Sequence, residues 1–529
     1  MTVRGRASAM ALARAGILLS AFFLVSRVLG YVRVVVLAET YGIGAELDTF
    51  YAAFRLPDLV YQLVAAGALT SGLVPILAGL VARGEDERAR RITGSLGVLV
   101  TLAVGAVAAI AWLLAPWIVP AMTPGFTDAQ LAETTDLTRL MLLGPVLLSA
   151  GSVATSWLNA RDRFTAGAVS PAAYNLGIIA GVWLLAPALG IRAAALGVLA
   201  GSALYLVAAW VGVARRGLLP PLRVERDPEL GRAFRLMLPR MVGLAGSQLA
   251  LTVLVAVASG LPEGSVSVLA TAQILLQLPL GLIGIPLGIV LLPSLTREIA
   301  LGNLGEYRRL AREGLRALLL VMVGVAAVGI ALAVPVVTLL FPGSADDGTV
   351  RDIAETLRIF LIGLPAHGAI AVLGRACYAR SDTRSPVIFA LVAVVIDIAL
   401  ALLLAPQLGV PGIAAAVAIG AWVEAAGIAL VLRRAAGLDV AGILAPFPAI
   451  LLSAGAAGAV AALIALLMDG MARGWVGNLV LLAVAGLAGI AVHFAAAALL
   501  RVREVGLVVG IVRARAGRRL PARLGGSRP

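Results

Sequence analysis

Lysine is missing altogether, so all 42 basic residues of this 529-residue chain are arginine. That uniformity is read as a coding effect of a GC-rich genome and carries no mechanism. Cysteine occurs once, at Cys377, which excludes an intrachain disulfide. The two histidines, His367 and His493, stand in no metal-ligand spacing, and no zinc-hydrolase chemistry is expected. No P-loop, zinc motif or nucleophile elbow is present, so nothing points to an enzyme and no resident cofactor is expected. Charged residues make up only 13% of the chain and aromatics 5%, against 61% hydrophobic residues and a mean hydropathy of +1.02. A soluble globule of this length is not so apolar. The composition is that of an all-α polytopic membrane protein.

A hydrocarbon core takes about 20 apolar residues per helix, and about fourteen runs of that kind follow one another along the chain. Arginine bias orients them. The turns after even-numbered runs are basic, as at Arg83 to Arg91, Arg161 with Arg163, Arg215 to Arg232, Arg297 to Arg312, Arg375 to Arg384 and Arg433 with Arg434. The turns after odd-numbered runs are acidic or poor in arginine, as at Glu39 with Glu46 and at Asp128 with Asp136. The basic turns and both termini are therefore expected on the cytoplasmic side of the membrane. The net charge of +14 then implies the anionic membrane face as partner, not nucleic acid.

The chain also matches itself. Arg139 and Arg358, Gly144 and Gly363, and Arg161 and Arg380 are each 219 residues apart, and Ala186-Pro187-Ala188-Leu189-Gly190 returns at the same offset as Ala405-Pro406-Gln407-Leu408-Gly409. The first twelve runs are two parallel copies of six helices, expected at residues 1–216 and 217–434. Parallel repeats of this kind are a transporter architecture with the substrate site between the lobes. Runs thirteen and fourteen, within 435–500, lie outside the repeat and precede a basic tail at 501–529.

The unusual stretch is 26–75. It places Arg27, Arg33, Asp48 and Arg55 within or beside two apolar runs. A charge at the middle of a bilayer costs roughly 3 kcal/mol on insertion scales, so such groups are expected to face a wet cavity or a ligand. The segments SRVLGYVR, DTFYAAFRLPDL and AAGALTSGLVPILA, with the later LMLPRMVGLAGSQ, GSVSVLATAQILLQLPLGLIGIPLGIVLLPSLTR and SDTRSP, resemble the MurJ/MviN lipid II flippases of the multidrug/oligosaccharidyl-lipid/polysaccharide exporter superfamily. The resemblance covers about 500 residues in order, which makes it specific. It implies translocation of an undecaprenyl-pyrophosphate-linked cell-wall precursor between leaflets, with lipid II, membrane lipids and cell-wall synthesis proteins as expected partners of a monomer.

Arg27, Arg33 and Asp48 fall on charged positions of that family, and Arg55 on a basic position of its F-K/R-x-P motif. Tyr61 with Gln62, and Ala65-Ala66-Gly67, stand where the family often has an arginine pair and Ala-Glu-Gly; Gln273-Ile274 stands where it often shows Asp-Arg. Arginine suits a diphosphate, because its planar fork makes paired hydrogen bonds and stays charged. Arg27 and Arg33, about 120° and 9 Å apart on a helix, are expected to line one cavity wall. Arg55 approaches from the second helix, and Arg240, after Pro239, either replaces the charge lost at Ile274 or anchors a basic turn. Asp48 pairs with an arginine when the outer gate shuts, or snorkels to the interface as Arg33 alternatively does. Gln248, Gln273 and Gln277 hydrogen-bond a headgroup or neighbouring helices. Asp397, Glu424 and Asp382, the last in the D-T-R-S-P turn, are candidates for proton or monovalent-cation coupling; the membrane potential is the other expected drive. Pro57, Pro239, Pro279, Pro286 and Pro365 are expected to break their helices. The small-residue faces SAGAAGAVAA and AVAGLAGIAV are expected to pack closely and to border a polyprenyl groove.

Three readings compete. Arginine at the site and few aromatics argue against a cationic-drug exporter. A flippase for lipid II, or for another polyprenyl-linked oligosaccharide, fits the charges present. A non-transporting scaffold of envelope assembly fits the charges absent.

Overall fold

The computed structural model describes residues 25–63, 70–341, 347–468, 474–506 and 510. Every regular element among them is helical. In chain order these are α1 (described over 25–41), α2 (Ala45–Tyr61), α3 (Thr70–Ala82), α4 (Asp86–Met122), α5 (Asp128–Met141), α6 (Leu143–Asn159), α7 (Thr165–Leu189), α8 (Arg192–Ala214), α9 (Pro228–Ser259) and α10 (Ser265–Pro279). A π-helical turn at Leu280–Gly284 leads into α11 (Ile285–Ala300), α12 (Leu304–Ala331), α13 (Ala333–Leu340), α14 (Asp347–Ala379), α15 (Arg384–Leu408), α16 (Val410–Ala436), α17 (Val440–Leu444), α18 (Phe447–Met468) and α19 (Gly474–Leu499).

Eleven of these stretches are long and apolar enough to cross a membrane, and shorter apolar helices cover Leu73–Ala82 and Gln248–Ser259. The first, second and seventh of the fourteen expected runs, which carry Arg27 with Arg33, Arg55, and Arg240, extend beyond the residues described in full.

The repeat is visible in the backbone. Helices α7 and α15 are both 25 residues long and start 219 residues apart. The left-handed residues Asp162 (φ 57°) and Ser381 (φ 60°) recur at the same spacing, as do Gly190 (φ 54°) and Gly409 (φ 65°) at the ends of α7 and α15. A turn that needs a positive φ is therefore made at the same place in each copy.

The chain forms two compact units, one comprising residues 1–270 with 343–346, the other 271–342 with 347–529. This division does not coincide with the repeat boundary at 216/217, because α9 packs on α2, α3 and α4 of the first copy. The connecting strap before α9 is clamped to α4. Arg88 bonds both oxygens of Asp227 (2.8 and 3.1 Å), Arg91 pairs with Glu225, and Ser95 receives the Glu225 amide and donates to the Arg223 carbonyl. The Arg88 hydrogen bonds hold the Asp227 carboxyl below its usual range. The core of this unit lies between α3, α4 and α6, where Leu73, Leu77, Leu80, Leu96, Val153 and Trp157 are fully enclosed. The buried Trp157 indole donates to the Leu218 carbonyl at 3.0 Å.

In the second unit α18 and α19 pack on α12 through alanines, with Ala454, Ala457, Ala461 and Ala485 buried. The small-residue faces are thus spent on helix contact. His493 is buried among these helices, with Nε2 2.8 Å from the Leu320 carbonyl and Nδ1 3.2 Å from Ser453 Oγ. Proline breaks are fewer than expected. Pro279 and Pro286 flank the π-turn, whereas α9 and α14 run unbroken through Pro239 and Pro365.

Helices α7 and α8 meet along two G-x-x-x-G ridges. A Cβ added at Gly177 would lie 2.4 Å from the Gly201 backbone, and one at Gly181 would lie 2.4 Å from Gly197. Gly201→Leu should therefore force the pair apart. Overpacking of this kind costs about 1–3 kcal/mol, read as a lowered melting temperature in detergent; an unchanged melting temperature would show that the ridges do not set the spacing.

Candidate functional site: a charged cavity in the first unit

On α2 the polar residues Asp48, Arg55, Asp58 and Gln62 fall within about 80° of arc at 100° per residue. The helix thus presents one polar stripe along an otherwise apolar surface. At its start Asp48, 2% exposed, accepts the backbone N–H groups of Gly264 and Ser267 (both 2.7 Å) and the Ser267 hydroxyl (2.5 Å). Those donors open α10, whose first amides have no partner within their own helix. Asp48 is therefore a remote cap. Among the described residues its hydrogen-bond partners are these α10 donors and not an arginine.

About two turns further along, Arg55 is tied to α9. Its Nη2 donates to the Gln248 carbonyl (2.8 Å) and to Gln248 Oε1 (2.7 Å), and its Nε donates to Thr252 Oγ1 (3.3 Å). Its Nη1 lies 3.5 Å from Asp58 Oδ2. Gln248 serves here as a helix-to-helix acceptor, the bland alternative for that residue. Gln62 donates to Asp58 Oδ1 across 3.5 Å, a weak contact.

Asp58 and Arg33 share the wall of a cavity of about 340 Å³. Five helices besides α1 build it; Tyr61, Tyr174, Tyr205 and Ser202 supply further polar atoms, and Phe54 with three prolines the apolar part. Ser152 gives its single hydroxyl proton to the Leu148 carbonyl (2.8 Å), so Tyr61 and Tyr205, 3.4 and 3.5 Å away, act as donors toward it. Where a second arginine pair was the family expectation, the wall carries the phenol of Tyr61, and Gln62 reaches only Asp58 beside it.

The structure brings Arg33, Arg55, Asp58 and Gln248 into one neighbourhood and leaves others apart. Arg27 is exposed on α1 and is not among the residues that line the cavity with Arg33. The side chain of Arg240 and residues Ala65, Ala66 and Gly67 lie outside the described residues. Gln273 and Ile274 are half-buried on α10 in the second unit, and Gln277 is exposed there. Asp382 accepts the amides of Arg384 (3.1 Å) and Ser385 (3.0 Å) and so caps α15. Burial alone would raise its pKa, but these hydrogen bonds outweigh it and hold the carboxyl below its usual range. Asp397 seats its carboxylate on α16 at Gly420, where an added Cβ would lie 1.8 Å from Oδ1. That oxygen is buried without a hydrogen-bond partner, and the half-buried Glu424 acts on its charge.

Comparison with known proteins decides the family. The family model described as "Lipid II flippase MurJ" matches residues 37–486. The chain belongs to the MurJ family. A "Probable lipid II flippase MurJ" of Rhizobium meliloti (strain 1021) is 33% identical over 443 residues, covering 81% of this chain and 82% of the relative. A "Lipid II flippase MurJ" of Burkholderia cenocepacia is 30% identical, covering 80% and 84%. In fold the chain is similar to a solved "Lipid II flippase MurJ, inward closed conformation", with a TM-score of 0.77 at 21% identity over 92% of this chain and 98% of that one. It is also similar to an inward-facing multidrug resistance MATE family transporter, with a TM-score of 0.67 at 15% identity over 78% and 95%. The MurJ match begins after Arg27 and Arg33 and includes Asp48, Arg55 and Asp58. No residue of the sequence motifs singled out Asp58; the shared arc with Asp48, Arg55 and Gln62 was the signal that could have found it.

Cys377 is fully buried, so the native chain is already a blank for thiol chemistry. Arg33→Cys should be modified by a small charged thiol reagent while the parent chain is not. Equal, slow labelling of both would place position 33 away from water.

Proposed function

We infer that this chain is a lipid II flippase, a transporter and not an enzyme, that moves the undecaprenyl-diphosphate-linked peptidoglycan precursor from the inner to the outer leaflet. Membership of the MurJ family supports the substrate. The observation that carries the mechanism is Arg33 on a cavity wall with Arg55 nearby on α2, both inside apolar helices. A diphosphate supplies the negative charge that two such guanidinium groups lack in hydrocarbon, and they supply the hydrogen bonds its oxygens lose on leaving water. The cavity holds a headgroup portion and the tail stays in lipid.

The same reading sets the chain in the bacterial inner membrane as a monomer with both termini cytoplasmic, which the arginine bias of the turns supports. No nucleoside triphosphate motif is present, so the drive is secondary. The embedded acids Asp397 and Glu424 are where a proton or monovalent cation would couple to movement, and the membrane potential acts on any net charge that crosses. Family members act before cell-wall synthesis, and proteins of that assembly are the partners proposed.

Expression of this chain in a bacterium depleted of its own lipid II flippase should restore growth, and Arg33→Ala should abolish the rescue at equal membrane abundance. Failure of the parent chain to rescue, with normal membrane abundance, favours a non-transporting scaffold.

A further inference from the structure

Asp58 has no place in the transport reading as it stands. It is an acid on the wall of a cavity proposed to receive an anion, 3.5 Å from one of the two arginines proposed to bind it, and on the same wall as the other. Its bonds are loose. Arg55 approaches at 3.5 Å and Gln62 at 3.5 Å, whereas Arg55 makes contacts of 2.7 and 2.8 Å to Gln248. The side chain is 24% exposed, against 12% for Arg55. A carboxylate fixed for structural reasons alone would be expected to take the short, strong bonds that Asp48 takes on the same helix.

We propose that Asp58 is the cavity's own counter-anion: it balances Arg33 and Arg55 when the cavity is empty, and the diphosphate of the lipid carrier takes its place when the cavity fills. This rests on the flippase reading and deepens it by naming what the substrate displaces. Two half-buried guanidinium groups on apolar helices without an anion would be costly in the empty protein. A resident carboxylate removes that cost, and its loose geometry lets an anion with more acceptor oxygens outcompete it. The exchange also limits affinity, so that bound substrate can leave on the far side. Arg33 from α1, Arg55 from α2, Gln62 and Tyr61 from α2, Tyr174 from α7 and Tyr205 from α8 are the charged or titratable and polar groups around it. Among them Asp58 is the only acid, so protonating it leaves the arginines free and strengthens anion binding.

The test is binding of farnesyl diphospho-N-acetylglucosamine, a soluble diphosphate diester of constant charge, to the full chain in lipid nanodiscs between about pH 5 and 8. Asp58→Asn removes the charge and keeps the shape. At the upper end of that range it should bind the probe about five-fold more tightly than the parent. The parent should tighten toward the variant as pH falls, while the variant stays flat. Equal affinity across the range, or weaker binding by Asp58→Asn with an unchanged melting temperature, overturns the proposal. If the variant misfolds, the parent's own pH profile decides: a flat profile overturns it and affinity that rises on acidification supports it. Arg33→Ala separates this outcome from failure of the flippase reading, since a parent and an Arg33→Ala variant that bind the probe equally refute the arginine site itself, whatever Asp58 does.

Discussion

A guanidinium group cannot be left alone in hydrocarbon, and the first unit is arranged around that constraint. Arg33 and Arg55 sit on neighbouring apolar helices, and each is given polar surroundings by different means. Arg55 is sewn to α9 through Gln248 and Thr252. Arg33 faces a cavity whose wall also carries Asp58 and three tyrosines. A closed apolar core at this position would make both arginines a liability. An anion-receiving cavity makes them useful, because the charge that destabilises the empty protein is the charge that recognises a diphosphate.

The two copies of the repeat have kept their backbone and changed their contents. In the first, α7 and α8 touch backbone to backbone along glycine ridges at Gly177, Gly181, Gly197 and Gly201. In the second, the corresponding pair α15 and α16 keeps one such backbone approach, at Gly412 against Leu404, and elsewhere its glycines admit side chains: Gly420 faces the Asp397 carboxylate and Gly427 the Phe389 ring. The second copy therefore carries an embedded acid at a joint that the first makes through bare backbone. Charge chemistry is divided likewise, with the arginine cavity in the first unit and Asp397 with Glu424 in the second. The additional helices α18 and α19 fasten to α12 by alanine packing and by His493.

Much of the fold was legible in the residues. Apolar run length located the helices, and the constant offset of Arg, Gly and Pro located the repeat, because turn chemistry leaves marks at fixed places. The compact units were less legible: α9 belongs to the second copy by sequence and to the first unit by packing, and the clamp of Arg88 on Asp227 is a long-range contact that no local pattern announces. For the site, cost of burial identified Arg33 and Arg55 correctly as residues needing polar company. It could not tell which α1 arginine lines the cavity, as Arg33 does and the exposed Arg27 does not. For Asp48 and Asp382 the sequence shows a charge but not the helix start that each caps. Asp58 was hidden by the motif around it, where the arginine and proline draw attention and the following aspartate does not.

The most direct measurement is an electron cryo-microscopy map of the full chain in nanodiscs with undecaprenyl diphospho-disaccharide bound. The account requires the diphosphate oxygens to lie within hydrogen-bond distance of Arg33, with Arg55 beside them. A diphosphate seated away from both arginines, with the cavity of the first unit empty, would contradict it.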